Sequence, residues 1–294
     1  MDLKDLRVLI LSAGKIDTKL EKIFGKIPSG LIPLNGKPVI FRIIDKLLEE
    51  GIKKISITVG YKKEILEKIV SEQYENQCEM EFITTEFEKP PGNSIKTAMN
   101  FCVEEKLLII LGDTLIENNL SELMNKEKNF VITSQKFGDT KNWCIITKKD
   151  KKVNEVFDKK EFDKNKEHHA LVGCYFFNDL NMLKKILSEF NNEEKLEIST
   201  IIKKVKDVEV ITTELAQKWH DVGHLENYFS TKQFILKTRY FNSLQFDDLG
   251  ENVVKTSKDN KKLINEINWY KNIPNDILDL VPKIKESDVS KNPF

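Results

Sequence analysis

Asp113 is the residue best placed to do chemistry. It belongs to Leu111-Gly112-Asp113-Thr114, directly after the apolar run Leu107–Leu111. A carboxylate at the end of a buried strand can meet phosphate oxygens through a divalent cation, and Mg2+ takes one or two protein carboxylates with phosphates and waters completing its shell. A second constellation follows Val8–Leu11, where Ser12-Ala13-Gly14-Lys15 places small residues after another apolar run. Such residues let backbone N–H groups approach a ligand at the carboxyl end of a sheet, although the same pattern also serves plain packing. A third is Pro91-Gly92-Asn93-Ser94. A glycine turn opening a helix can hold phosphate on backbone N–H groups and a base edge on the Asn93 amide; alternatively, Asn93 or Ser94 simply caps the helix. Cys78, Cys102, Cys144 and Cys174 are far apart with no CxxC pairing, so neither a zinc site nor a disulfide framework is expected. His168, His169, His220 and His224 are not spaced like a metal cluster.

The elements that must position these residues alternate in type. Leu6–Leu11, Lys54–Val59, Glu81–Thr84 and Leu107–Leu111 read as strands, and Pro38–Glu50, Lys62–Val70 and Ser94–Val103 as helices between them. Pro38 and Gly51 punctuate the first of these helices. This alternation argues for parallel βαβ units, and the uniformly apolar strands argue for a sheet covered on both faces. After Asp113 the pattern loosens. Phe130–Ser134, Trp143–Thr147, Leu171–Phe177 and Val208–Thr212 read as strands and Leu180–Phe190 and Ile198–Val205 as helices, which makes the second half of the sheet mixed. Lys148–Lys152 and the charges from Asp163 to Glu167 read as solvated turns. A third stretch comprises a helix over Glu226–Tyr240, a short strand at Ser243–Phe246, a turn at Asp247–Glu251, a strand at Asn252–Thr256 and a helix at Lys261–Lys271, stopped by Pro274.

Composition bounds the function. With 294 residues, 40% apolar and 32% charged, the chain can bury a sizeable core. Lysine plus arginine and aspartate plus glutamate stand at 47 each, so the electrostatic case for nucleic-acid binding is missing. No run reaches the roughly 20 apolar residues of a membrane span, and the N-terminus lacks a long apolar signal core, which together predict a cytoplasmic protein without membrane partners.

The segment Ile27-Pro28-Ser29-Gly30-Leu31-Ile32-Pro33-Leu34-Asn35-Gly36-Lys37-Pro38-Val39-Ile40 resembles the signature of the sugar-phosphate nucleotidyltransferase family, Pro-Lys-x-Leu-x-Pro-x-x-Gly-x-Pro, downstream of a small-residue loop after strand one. The resemblance covers residues 5 to about 235 and implies an α/β fold, a Rossmann-like nucleotide-binding half on a mixed central sheet of the nucleotide-diphospho-sugar transferase type. It implies that Leu11, Ser12, Ala13, Gly14, Lys15, Pro91, Gly92, Asn93, Ser94 and Gly112 bind a nucleoside triphosphate. Asp113 would be the first ligand of Mg2+, and Asp221, in Trp219-His220-Asp221-Val222-Gly223, the second. Trp143, Asp158, Gly173 and Glu197 would line the site of a phosphorylated small-molecule acceptor, and Lys159 would meet the acceptor phosphate, since a cation is needed to bring two anions together. Two family features are absent: the glycine and arginine after the first loop glycine, and the lysine that here is Ser29. Lys19, Lys22 or Lys26 would take over that charge, with Lys19 and Lys26 the expected catalytic pair beside Lys159.

Residues 1–235 are thus expected to form a nucleotidyltransferase domain and 236–294 a small C-terminal extension. In the extension, Arg239-Tyr240-Phe241-Asn242, Asn252-Val253-Val254-Lys255-Thr256-Ser257 and Lys262-Leu263-Ile264-Asn265-Glu266 resemble the start of a kinase-like phosphotransferase small lobe, truncated or a remnant. The expected reaction joins an NTP to a phosphorylated sugar, polyol or amino-alcohol with release of pyrophosphate, for surface polysaccharide precursors. The kinase-like stretch favours CTP slightly. Two competing readings are a non-catalytic nucleotide-binding subunit, suggested by Ser29, and a glycosyltransferase of the related fold, which usually carries a D-x-D where Gly112-Asp113-Thr114 has one aspartate. A homo-oligomer is compatible with the resemblance and not required by it.

Overall fold

A computed structural model describes residues 5–137, 140–159, 167–191, 195–235, 242–246 and 252–291. The chain divides into two compact units, Met1–Tyr228 and Phe229–Phe294.

In the first unit the parallel half comes first: β1 (Leu6–Leu11), α1 (Thr18–Phe24), β2 (Pro33–Leu34), β3 (Lys37–Pro38), α2 (Val39–Glu49), β4 (Lys54–Val59), α3 (Lys63–Tyr74), β5 (Glu79–Thr84), α4 (Pro91–Ala98) and β6 (Lys106–Leu111). The mixed half follows: β7 (Thr114–Ile116), α5 (Leu120–Met124), β8 (Phe130–Ser134), β9 (Cys144–Lys149), β10 (Lys152–Asp158), β11 (His169–Phe177), α6 (Leu180–Ser188), α7 (Ile198–Val208), β12 (Thr212–Leu215) and β13 (Trp219–Asp221). Helix α8 (Leu225–Phe234) runs across the division.

Among the described residues nine strands form one sheet in the order β5-β4-β1-β6-β11-β8-β12-β10-β9. β5, β4, β1 and β6 are parallel, β11 is antiparallel to β6 and β8, and the β9–β10 hairpin closes the far edge, as the two-part pattern of the sequence predicts. Alternate side chains of β1 and β6 feed two cores, one on each face. Leu9, Leu107 and Ile109 join Ile95, Leu183, Ile201 and Ile202 on one side. Leu6, Val8, Ile10, Leu108 and Ile110 join Ile40, Ile44, Leu66 and Val70 on the other. Burial on both faces is why these strands are apolar apart from Arg7 and Lys106 at their amino ends.

Strand order reverses at β1: β4 and β5 lie to one side, β6 to the other. Ligands of open α/β sheets bind in the crevice outside the carboxyl ends at such a switch point. Here those ends are Leu11-Ser12 and Leu111-Gly112-Asp113, tied together by the Gly112 N–H on the Leu11 carbonyl (2.8 Å). At the opposite end of β1, buried Arg7 donates to Glu104 (2.7 Å) and Glu79 (2.9 Å), fastening the amino ends of the strands.

Several expectations are corrected. The strand read at Val208–Thr212 is absent: α7 continues through Val208, because Ile201, Ile202 and Val205 sustain the helical face, and the strand begins at Thr212. The helix read from Ser94 to Val103 starts earlier, with Pro91 at its first turn, and ends at Ala98. Helix α1 and strand β10 were not expected. Residues 160–166, 236–241 and 247–251, which carry part of the read turn after Asp158, the end of the Glu226–Tyr240 helix, Arg239-Tyr240-Phe241 and the Asp247–Glu251 turn, lie outside the described residues.

The second unit contains the antiparallel hairpin of β14 (Asn242–Phe246) and β15 (Val253–Ser257), then α9 (Asn260–Lys271), whose Glu266 pairs with Lys255 (2.5 Å). All four cysteines are free thiols, Cys102 and Cys174 buried, Cys78 and Cys144 half-buried. Among the described residues no helix is long and apolar enough to cross a membrane.

Candidate active site

The carboxyl ends of β1 and β6 crowd together. Ser12 is buried, and its N–H bonds Thr58 (3.2 Å to the carbonyl). The Ser12 hydroxyl lies so close to Gly30 and Gly112 that a Cβ at either position would strike it, which brings the Pro28–Leu31 turn against the strand ends. Ser29 donates its N–H to the Gly14 carbonyl (3.2 Å), and Lys15 bridges to Pro28. The small-residue loop and the family-like segment are thus one assembly. The expected catalytic lysines stand at its rim. Lys19 is exposed and paired with Glu226 (2.6 Å), while exposed Lys26 accepts a bond from Lys62 on its backbone carbonyl (2.6 Å). At Ser29 itself the chain presents a hydroxyl, not a cation.

Neither Asn93 nor Ser94 caps the helix that opens at the Pro91–Ser94 turn. Its cap position is Pro90, and no side chain caps the helix. Asn93 accepts the Leu196 N–H on its side-chain carbonyl (2.9 Å), Ser94 bonds Thr85 (3.0 Å), and Gly92 lies against the Leu196 carbonyl with no room for a Cβ. Pro91-Gly92-Asn93-Ser94 therefore docks the segment that carries Glu197, so the proposed nucleotide and acceptor loops share a framework.

Asp113 and Asp221 meet beside Gly223. β7, the continuation of the chain past Asp113, pairs antiparallel with β13, which ends in Asp221. The Val222 N–H bonds the Asp113 carbonyl (3.0 Å), and a Cβ on Gly223 would run into the Asp113 carboxylate and lie 3.4 Å from Asp221 Oδ1. Burial, and then the charge of Asp221, push the Asp113 carboxyl up to about 6. Two carboxylates held this close are stabilised by a shared cation. Among the described residues no three or more His, Cys, Asp or Glu side chains are grouped so that they could hold a metal by themselves. A pair of carboxylates fits Mg2+, which shares its shell with substrate phosphates, better than a cation that needs a full protein cage. The absence of a Cβ at Gly223 leaves both carboxylates clear. Gly223→Ala is expected to lower catalytic efficiency at least about tenfold, by displacing the Asp113 carboxylate, with little change in melting temperature; steady-state kinetics beside a thermal melt checks this.

Three of the proposed acceptor residues, Trp143, Asp158 and Lys159, stand at the open end of the β9–β10 hairpin, while Gly173 is on β11 and Glu197 is at the N-cap position of α7. Asp158 lies opposite Cys144 in the ladder, and the Lys159 N–H bonds the Trp143 carbonyl (3.1 Å) at the open end. Burial pushes the Cys144 thiol up to about 12, and the charges of Asp158, Lys203, Lys159 and Glu197 all act on it. Gly173, at φ +84°, sits where β11 shifts register, with its Cα face against Leu111 of β6. Trp143 then joins the two halves of the site, its ring 4.9 Å from Trp219 and 5.4 Å from His224.

Sequence reasoning did not single out Lys203 or Asn227. Lys203 belongs to the exposed side of α7, where a lysine carries no signal of its own. Asn227 donates to Asp221 Oδ2 (2.7 Å), which also takes His224 Nδ1 (2.7 Å). His224, left without a role in the sequence, is raised from its ordinary pKa by that bond to Asp221.

Comparison with known proteins agrees with this architecture. The pattern of the nucleotidyl transferase family matches residues 7–238. The bifunctional protein GlmU of Methanococcus maripaludis is 27% identical over 232 residues, covering 78% of this chain and 54% of that protein. The D-glycero-alpha-D-manno-heptose 1-phosphate guanylyltransferase of Campylobacter jejuni is 24% identical, covering 75% of this chain and 96% of its own. The chain thus spans about half the length of the GlmU relatives it matches and nearly all of the guanylyltransferase. A crystal structure of a putative glucose-1-phosphate thymidylyltransferase from Bacillus anthracis superposes with a TM-score of 0.69 at 18% identity, over 80% of this chain and 97% of that one. Sheet order and family pattern agree: the chain belongs to the nucleotidyl transferase family.

Proposed function

We propose that this protein transfers a nucleotidyl group from a nucleoside triphosphate to the phosphate of a small acceptor, a sugar 1-phosphate first among them. The observation that carries this is the meeting of the acceptor hairpin and the carboxylate pair: Trp143 of the hairpin lies against His224, which is bonded to Asp221. In the reaction an acceptor phosphate oxygen attacks the α-phosphorus in line. The bond from that phosphorus to the bridging oxygen breaks, and pyrophosphate leaves with the electron pair. The acceptor phosphate is already a nucleophile, so no covalent intermediate with the protein is needed.

In this reading the Ser12–Lys15 loop and the Pro91–Ser94 turn hold the nucleotide, and Lys19 and Lys26 supply the positive charge that Ser29 does not. Lys19 can leave its exposed pairing with Glu226 to do so. Lys159 holds the acceptor phosphate, while Trp143, Asp158, Gly173 and Glu197 shape the acceptor pocket. Asp113 and Asp221 would hold Mg2+, which, when bound, offsets the repulsion between the two phosphates.

The guanylyltransferase and thymidylyltransferase named above support a sugar 1-phosphate as acceptor. CTP with a polyol or amino-alcohol phosphate is a second reading, favoured by the resemblance of the stretch around Lys255 and Glu266, which pair with each other, to the start of a kinase-like small lobe. Either product would be a precursor for surface polysaccharide made in the cytoplasm. Pyrophosphate release, assayed with Mg2+ across four NTPs and a panel of sugar, polyol and amino-alcohol phosphates, tests the proposal. One NTP–acceptor pair should turn over. Silence across the panel with nucleotide binding intact would identify a sensing subunit instead.

A further inference from the structure

We infer that Asn227 is a positioning residue for the metal-ligand aspartate, and that the first turn of α8 clasps the site together; this rests on the reading of Asp113 and Asp221 as the cation site. Three consecutive side chains of that turn reach three separate parts of the site. Glu226 pairs with Lys19 of α1 (2.6 Å), Asn227 donates to Asp221 Oδ2 (2.7 Å), and Tyr228 donates its hydroxyl to the Pro33 carbonyl (2.7 Å) in the family-like segment. The Tyr228 ring also stands edge-on to Phe24 at the end of α1 (5.2 Å). Buried Tyr228 fixes the turn, and Asn227, half-buried beside it, is thereby fixed as well.

The Asp221 carboxylate shows why an amide belongs at position 227. Its Oδ2 receives two nitrogen donors, His224 Nδ1 and Asn227 Nδ2, while Oδ1 receives the Gly223 N–H (3.0 Å). The carboxylate oxygens nearest the point where a Cβ of residue 223 would stand are Asp113 Oδ2 and Asp221 Oδ1. With Oδ2 engaged by the helix, the carboxylate cannot swing about its Cβ–Cγ bond, and Oδ1 is the oxygen held toward Asp113. A cation shared with phosphates needs this because it has only two protein ligands to define its place. The histidine donor alters with protonation and tautomer, whereas the amide donor is constant. Hydrogen bonds of this kind behind metal ligands are typically worth about 10–100-fold in affinity.

Mn2+ binding, followed by its electron paramagnetic resonance signal with the four NTPs present together, tests the assignment on the full chain. Asn227→Ala and Asn227→Leu, one removing the amide and the other replacing it at similar size, are expected to weaken Mn2+ about 10–100-fold. Melting temperature should stay within about 2 °C, a surface-scale change. In turnover the variants should need more Mg2+ for half-maximal rate and approach the wild-type kcat at high Mg2+. Asp113→Asn serves as the reference. If it loses Mn2+ while both Asn227 variants bind normally, the positioning role is wrong and the cation site stands. If Asp113→Asn keeps Mn2+ as well, the cation site and the inference fall together. An early melt of both Asn227 variants would make the residue a structural one and overturn the assignment.

Discussion

Replacing Asp113 by asparagine is expected to cut pyrophosphate release about a thousandfold while making the protein more resistant to heat. The loss of rate follows from its place. A cation shared between this carboxylate and the substrate phosphates contributes several kcal/mol of charge stabilisation, and about 4 kcal/mol corresponds to a factor near 10^3. The gain in stability follows from electrostatics. Burial and the Asp221 charge raise the carboxyl from 3.8 to about 6. An acid whose pKa is raised by folding costs the fold stability as pH rises from its unfolded value, here 3.8, to its folded value, and the cost is complete above about pH 6. That cost is about 3 kcal/mol at neutral pH without a divalent cation. Asparagine carries no charge, so the variant should melt higher at pH 8 in chelator and the difference should vanish near pH 4. A variant that kept full turnover would refute the metal role, and one that melted lower at pH 8 would refute the strained carboxylate.

The second large effect lies at the other end of β1 and concerns stability alone. Arg7 and Glu104 are both buried, and each is the other's closest charge partner (2.7 Å). Burial by itself would raise the Glu104 carboxyl. The hydrogen bond and charge of Arg7, with backbone N–H groups of Glu104 and Val103, prevail and hold it at about 2. Glu104→Gln removes the inner of the guanidinium's two acidic partners and leaves it with exposed Glu79 alone, which costs about 3 kcal/mol. At about 2–4 °C per kcal/mol for a protein near this size, the melting temperature should fall by about 10 °C. The linkage has the opposite sign to that of Asp113. A depressed acid stabilises the fold above its unfolded pKa, so this contribution is full at neutral pH and lost as pH falls from about 4.5 towards 2. Melting curves of wild type and variant from pH 7 to pH 2.5 should therefore converge at the acid end.

The contrast between these two carboxylates also shows what sequence can express. Strands β1 and β6 were readable because both of their faces are buried and their apolar runs are nearly unbroken, and β4 and β5 because apolar residues alternate along them. Asp113 was readable because it directly follows such a strand, and Asp221 because it lies in a short segment of recognisable pattern. Strand β10 was not readable. Its register shifts between Val153 and Glu155, so its buried residues, Val153 and Val156, are three apart and not two, and the strand period is broken. Helix α1 is seven residues with one buried side chain, Leu20, too short to show a face. Asn93 was read as a base contact or a helix cap; the cap is not formed, and its side-chain carbonyl takes the Leu196 N–H. Its bond to Leu196 joins residues far apart in sequence, and nothing near Asn93 announces it. Asn227 was hidden for a different reason: Asp221 is close in sequence, but an asparagine in the first turn of a polar helix carries no signal of the bond it makes back to that residue.

The four thiols carry a practical consequence. Burial raises the pKa of every one, Cys102 to about 11 and Cys144 to about 12, with Cys78 and Cys174 moved in the same direction. The thiolate is the reactive species, so at neutral pH the native chain offers alkylating reagents and mild oxidants almost nothing to attack. Covalent capture at Cys102 or Cys174 would then proceed only as fast as the sheet opens. These side chains become an internal clock for opening on the two faces of the sheet, since Cys102 belongs to one core and Cys174 to the other.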